Sequence, residues 1–184
     1  MATRAQVSER QIMGTLPRNP NPNLGFRGNP DGQQGKRLVD YGVYAQPLHR
    51  VMAQYGYRSE VIMYGTDDAI RSYVDRGWPV VVWVTYQLQR AAPRLGIANG
   101  EPFLLVPYEH ALTVVGSQSG AVIAHDPWTA KRVAYDWRNF NRAWGYFGDM
   151  ALAVEPCPPP SPVTNGTVIN AQMLVLKARA TLLD

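Results

Sequence analysis

The sequence predicts an α+β fold in which an antiparallel sheet is flanked by helices. Segments 43–55 and 66–77 carry apolar residues at helical spacing, and each ends at a glycine. Segment 78–85 is a continuous β-branched and aromatic run, which is typical of a central strand covered on both faces. Segments 110–116 and 121–126 are strand-like and lie on either side of a short polar turn, so they predict a hairpin.

The remaining elements follow from local signals. Ser8 and Gln11 have the spacing of a capping box, which predicts a short helix over 8–13. Segment 16–32 is dense in Pro, Asn and Gly and predicts a long irregular connection. A short helix over 137–144 and a last strand over 150–154 complete the predicted layers.

Length and composition predict one domain followed by a tail. The 184 residues are 46% hydrophobic, enough for one core, which we assign to 1–155. Segment 156–184 begins with closely spaced prolines and is predicted to be an extended linker and C-terminal tail. The net charge is +4, but the arginines are scattered along the chain, so nucleic acid is not an expected partner.

The cysteine content and the N-terminus exclude several classes of protein. Cys157 is the only cysteine, so the chain forms no internal disulfide or cysteine-based zinc site, and we expect neither a cofactor nor a metal. Segment 1–10 has no signal-peptide core, and the longest apolar run, 80–84, is far too short to span a membrane. The chain as given is expected to be soluble; an extracellular location and the oligomeric state are left open.

The predicted hairpin brings two residues together that could carry chemistry. If the loop is 118–120, Leu112 lies opposite Asp126, and His110 and Asp126 point to the same face as diagonal neighbours. A loop of two or four residues would place them on opposite faces. An aspartate bonded to one imidazole nitrogen fixes the tautomer and leaves the other nitrogen free to act on a nucleophile.

Spacing alone favours a structural role for both residues. His110 could be a core histidine bonded to a backbone carbonyl, and Asp126, which precedes Pro127, could be a turn-forming residue. A metal site of His110, His125 and Asp126 is a third interpretation. Neighbouring residues of a strand point to opposite faces, however, so His125 and Asp126 would not converge easily. His49, in the first of the two helical segments, is predicted to be exposed or satisfied.

Three ordered blocks of sequence resemble the C39-like cysteine peptidases. The first is 16–28, with Gly-Phe-Arg-Gly at its end and Tyr-Gly-Val-Tyr-Ala following at 41–45; the second is Gly-Trp-Pro-Val-Val-Val-Trp-Val at 77–84. The third contains Glu-His-Ala-Leu-Thr-Val-Val-Gly at 109–116, His-Asp-Pro-Trp at 125–128 and 135–144. The resemblance covers about residues 7–155 and implies a papain-like fold, peptide or protein substrates, and a Cys-His-Asp triad with His110 as general base and Asp126 as its orienting partner.

The nucleophile is the point at which the chain departs from that family. The resemblance places the family's cysteine at the start of a helix preceding Val7, so we expect that helix to be absent and the chain as given to be inactive. Cys157 lies among prolines and Ser8 is better interpreted as a helix cap, so neither is the expected nucleophile. The alternative is a catalytically inactive peptide-binding pseudo-peptidase, and an in-frame cysteine encoded upstream of Met1 would distinguish the two.

Two further expectations concern the surroundings of His110. Trp128, just after Asp126, is predicted to line the substrate groove. Without the nucleophile helix, Leu112 and Val114 on the His110 face of the sheet should be exposed, which would make the fold marginally stable. Segment 167–183 is the stretch of this chain that could cover them. The residues that select a substrate cannot be identified from the sequence.

Overall fold

The computed structural model describes residues 7–32 and 38–156. These residues form helices on both sides of a sheet, as the α+β prediction requires. The helices are α1 Glu9–Thr15, α2 Ala45–Gln54, α3 Asp67–Asp75 and α4 Trp137–Gly145. The strands are β1 Ser59–Ile62, β2 Val80–Thr85, β3 Arg94–Ala98, β4 Glu101–Leu105, β5 Glu109–Gln118, β6 Ala121–Asp126, β7 Lys131–Asp136 and β8 Ala151–Val154. The predicted tail, apart from Pro156, lies outside these residues.

Six of the strands form one antiparallel sheet in the order β1-β8-β2-β5-β6-β7. The central strand β2 is the predicted apolar run, and both of its faces are covered. Strands β3 and β4 form a separate hairpin. This hairpin was not predicted from the sequence, although its turn is Asn99-Gly100, a strong hairpin signal in which both residues have positive φ here.

The two faces of β2 belong to two different cores. Val80, Val82 and Val84 pack with Ile70 of α3 and the buried side of α4. Trp83 points to the other face and packs with α1, α2 and the irregular segment that includes Tyr44. This second core holds the long N-terminal segment against the sheet.

The expected exposure of Leu112 and Val114 is wrong. Leu112 is 2% exposed and Val114 is 0% exposed. Both belong to the core built with α3 and α4, whose apolar faces cover this part of the sheet. Both helices were predicted from the sequence, but their packing on this face was not.

Three side chains fasten the irregular N-terminal segment. The indole Nε1 of Trp83 donates to the carbonyl oxygen of Val43 at 3.0 Å. The hydroxyls of Tyr41 and Tyr44 are 2.7 Å apart; Tyr41 accepts from the amide of Val106, and Tyr44 donates to the carbonyl oxygen of Leu104. These buried bonds position the chain that leads into β5.

Candidate active site

The imidazole of His110 and the carboxylate of Asp126 form a buried pair. The Nε2–H of His110 donates to Oδ1 of Asp126 at 2.8 Å. The residues are 8% and 7% exposed, respectively. His110 is near the start of β5 and Asp126 is the last residue of β6, so both lie at the same end of the sheet.

The loop length and the strand register that produce this geometry differ from the predicted ones. Gln118 pairs with Ala121, so the loop is the two residues Ser119-Gly120, and the predicted three-residue loop is wrong. A β-bulge between Val114 and Gly116 then shifts the register by one residue. Because a one-residue shift exchanges the faces of a strand, the bulge returns His110 to the face of Asp126.

Asp126 also has the structural role considered in the sequence analysis. Its Oδ1 accepts the backbone N–H of Trp128 at 2.9 Å, which is an Asx turn beginning the loop after β6. The hydroxyl of Tyr135 lies 3.5 Å from Oδ2. The carboxylate therefore fixes both the imidazole and the first residues of the loop that carries Trp128.

The other nitrogen of His110, Nδ1, has no hydrogen-bond partner among residues 7–32 and 38–156. The ring of Tyr86 packs edge-on against the imidazole with centroids 5.7 Å apart. The indole of Trp128 packs on the same Tyr86 ring at 5.3 Å and remains 43% exposed. An imidazole held at Nε2 and open at Nδ1, beside an exposed indole, is suited to proton transfer with a group placed at Nδ1.

The remaining candidate residues lie elsewhere or outside the described chain. Ser8 caps α1 in a capping box with Gln11. The Nδ1 of His49 is 2.9 Å from the hydroxyl of Ser59, so this histidine is satisfied. His125 follows the alternation of β6 and points away from the Asp126 face. Cys157 lies outside the described residues, and within them no three potential ligands converge on a metal site.

Comparisons with known proteins identify the family. The family model described as "Peptidase_C39 like family" matches residues 2–152. The chain belongs to this C39-like family. Its function is therefore of the peptidase type.

Among solved structures, the chain is similar to a protein from Bacillus anthracis titled a "putative C39-like peptidase". The TM-score is 0.69 at 20% identity, and the match covers 82% of this chain and 80% of that one. At this identity, the similarity supports the fold alone. A search of curated proteins finds no match.

Two residues near His110 of this C39-like domain were given no role from the sequence. Tyr86 contacts His110 from the 3₁₀ turn Tyr86–Leu88, in which Gln87 and Leu88 have positive φ; no sequence signal indicated such a turn. Glu109 precedes His110 and points to the opposite face of β5, where Gly42 lies beside its carboxylate. Its position in an apolar strand next to a candidate base was the available signal.

Burial decides the protonation of both Glu109 and His110. It raises the pKa of Glu109 to about 8. It also lowers the pKa of His110, and the hydrogen bond and charge of Asp126 offset only part of that effect. The imidazole is consequently neutral at pH 7, with its proton on Nε2 because Asp126 is the acceptor there.

Replacing Asp126 with alanine should lower the free energy of unfolding of the C39-like domain. The Nε2–H of His110 and the N–H of Trp128 would both lose their acceptor, at a cost of about 2–3 kcal/mol. Urea denaturation at pH 7 measures the change. Asp75→Ala, at an exposed position at the end of α3, is the control and should change the stability by less than about 0.5 kcal/mol.

Asp126→Asn tests whether the carboxylate is the electrostatic partner of His110. Removing the negative charge should lower the pKa of His110 further, because Asp126 is the group that opposes desolvation. NMR titration of the ring protons measures this shift. An unchanged or raised His110 pKa in the folded variant would contradict the assignment of Asp126 as its electrostatic partner.

None of the helices within residues 7–32 and 38–156 combines the length and apolar character that a bilayer crossing requires.

Proposed function

We propose that this C39-like domain hydrolyses peptide bonds through a Cys-His-Asp triad in which His110 is the base and Asp126 orients it. The observation that carries the proposal is the orientation of the imidazole: Nε2 is bonded to Asp126, while Nδ1 has no partner among the described residues. A base for nucleophilic catalysis needs this arrangement, with one nitrogen held by a carboxylate and the other free.

The proposed reaction has two stages. The Nδ1 of His110 takes the proton of a cysteine thiol, and the thiolate attacks the carbonyl carbon of the peptide bond. The imidazolium then returns the proton to the departing amine, which leaves an acyl thioester on the cysteine. In the second stage, Nδ1 takes a proton from water, the resulting hydroxide releases the acid product, and the thiol is reprotonated.

Asp126 and the aromatic residues act on His110 without reacting. Asp126 keeps a proton on Nε2, so the lone pair is on Nδ1, and it stabilises the imidazolium formed in each stage. The burial that lowers the pKa of His110 keeps the base neutral before it accepts a proton. Tyr86 fixes the plane of the ring, and Trp128 supplies an exposed apolar surface for the substrate next to it.

A second candidate function is peptide binding without catalysis. The observation that favours it is the absence of a thiol at Nδ1 among the described residues, since the only cysteine of the sequence, Cys157, lies outside them. Under this alternative, the His110–Asp126 pair serves the architecture of the groove, and Trp128 contacts a peptide that is not cleaved.

The test uses internally quenched octapeptides and two proteins: residues 1–184, and the product of the same reading frame extended upstream to the first stop codon. The 1–184 chain should show no cleavage, whereas the extended protein should show cleavage that iodoacetamide blocks. In the extended protein, His110→Ala should lower kcat by about 10³-fold or more. Cys157→Ala is the control and should leave the activity unchanged.

Two other outcomes would contradict the proposed triad. Cleavage by 1–184 that Cys157→Ala abolishes would identify Cys157 as the nucleophile and overturn the assignment. An extension without a cysteine, combined with peptide binding that Trp128→Ala weakens, would favour the non-catalytic function.

A further inference from the structure

A concave site is lined in part by residues that directly precede His110 in the chain. It is a cavity of about 350 Å³ between the segment that follows the 3₁₀ turn and the segment that leads into β5. The described residues that line it are Leu38, Arg90, Ala91, Ala92, Arg94, Pro107 and Tyr108. We call it the arginine pocket.

The charge of the arginine pocket is not balanced within the described chain. Both of its charged residues are arginines, and no acidic residue lines it. Neither guanidinium forms a hydrogen bond or an ion pair with any residue in 7–32 or 38–156. A planar guanidinium binds a carboxylate through two parallel hydrogen bonds, so two in one concave site favour an anionic ligand.

Two segments that line the arginine pocket also lead to residues of the candidate active site. Tyr108 is two residues before His110, so their Cα atoms are at most about 7 Å apart. The carbonyl oxygen of Tyr108 accepts the N–H of Tyr86 at 2.7 Å, and the ring of Tyr86 packs against His110. Arg90 follows Tyr86 by four residues in the chain.

We infer that the arginine pocket binds a carboxylate of the peptide substrate, close to the bond that is cleaved. This inference rests on the proposed function and specifies its substrate class. An extended peptide advances by about 3.3 Å per residue, so moving the acidic residue along the peptide locates the carboxylate relative to the scissile bond. It is either an acidic side chain or the C-terminal carboxylate of the substrate.

The two sources of the carboxylate are separated with three fluorescein-labelled octapeptides of one Ala-rich sequence. The first contains Glu and has an amidated C-terminus, the second contains Gln in place of Glu and is also amidated, and the third is the Gln peptide with a free C-terminal carboxylate. Anisotropy titration of residues 1–184 at low salt gives each Kd, and repeating the Glu and Gln pair with the substitution moved along the peptide locates the position.

One of the two carboxylate peptides should bind at least tenfold more tightly than the neutral one. Arg90→Gln combined with Arg94→Gln should bring the affinities within twofold while leaving the neutral peptide's affinity unchanged. The matched control is Arg50→Gln with Arg138→Gln, which removes the same charge from exposed positions on α2 and α4 and should retain the discrimination. Circular dichroism checks that each variant is folded.

A charge reversal provides the second measurement. Arg94→Glu should make the Glu peptide bind less tightly than the Gln peptide. Equal wild-type affinities, no binding of any peptide at millimolar concentration, or discrimination that survives the double substitution would each overturn the inference.

The inference and the proposed function can fail separately. If neutral and carboxylate peptides bind equally well and Trp128→Ala weakens both, the arginine pocket does not bind a carboxylate, but the domain still recognises peptides. If the arginines make carboxylate peptides bind more tightly but the extended protein cleaves no peptide, the pocket binds a carboxylate and the catalytic proposal is wrong.

Discussion

Replacing Trp83 with alanine is expected to lower the free energy of unfolding by about 4 kcal/mol, in the range found for removal of a large buried aromatic side chain. The indole is 1% exposed, packs edge-on against Tyr44, and bonds to the carbonyl oxygen of Val43. The variant would leave a cavity at the point where the N-terminal segment meets the sheet. Urea denaturation followed by far-UV circular dichroism measures the loss.

Trp83→Phe distinguishes the contribution of the buried ring to stability from that of its hydrogen bond. It retains most of the apolar volume and removes the donor to Val43, so a smaller loss of about 1–2 kcal/mol is expected. A loss of less than about 1 kcal/mol in the alanine variant would show that the N-terminal segment is not anchored through this residue.

The second large effect concerns Glu109 and depends on pH. Burial raises its pKa to about 8, so the folded state binds a proton between pH 4.5 and 8 that the unfolded state releases. Stability is therefore lost as the pH rises through this window. Glu109→Gln removes this loss and should stabilise the protein by about 2–4 kcal/mol at pH 9, because the side chain is only half-buried by its accessible surface, while changing little at pH 4.5.

Urea denaturation of wild type and Glu109→Gln at pH 4.5, 7 and 9 measures the effect. Glu101→Gln, at an exposed position in β4, is the matched control and should change the stability by less than about 0.5 kcal/mol at each pH. Equal stabilisation by Glu109→Gln at all three values would mean that ionisation of Glu109 is not the cause.

Elements with strong local signals were predictable from the sequence. Ser8 and Thr66 cap α1 and α3 as their side-chain chemistry indicates, and the apolar run became the central strand β2. The strands β1 and β7 were missed, since both lie at the edges of the sheet and neither contains a fully apolar run. Their pairing depends on long-range contacts that a local pattern does not contain.

The candidate site was predictable only in part, for the same reason. The hydrogen bond between His110 and Asp126 was expected, but through a turn of the wrong length. The contact of Tyr86 with His110 depends on backbone conformations with positive φ at residues that rarely adopt them, so it could not be predicted from residue types. The catalytic roles of these residues remain proposals.

The β-bulge in β5 has a consequence for how sequences of this kind can diverge. His110 and Asp126 share a face because one extra residue, Val115, lies between them in the strand instead of in the turn. Deleting that residue and lengthening the turn by one would each move His110 to the other face, so the two changes together would restore the present arrangement. Insertions and deletions in this hairpin must therefore keep the number of residues between His110 and Asp126. The extra residue itself can lie either in the strand or in the turn.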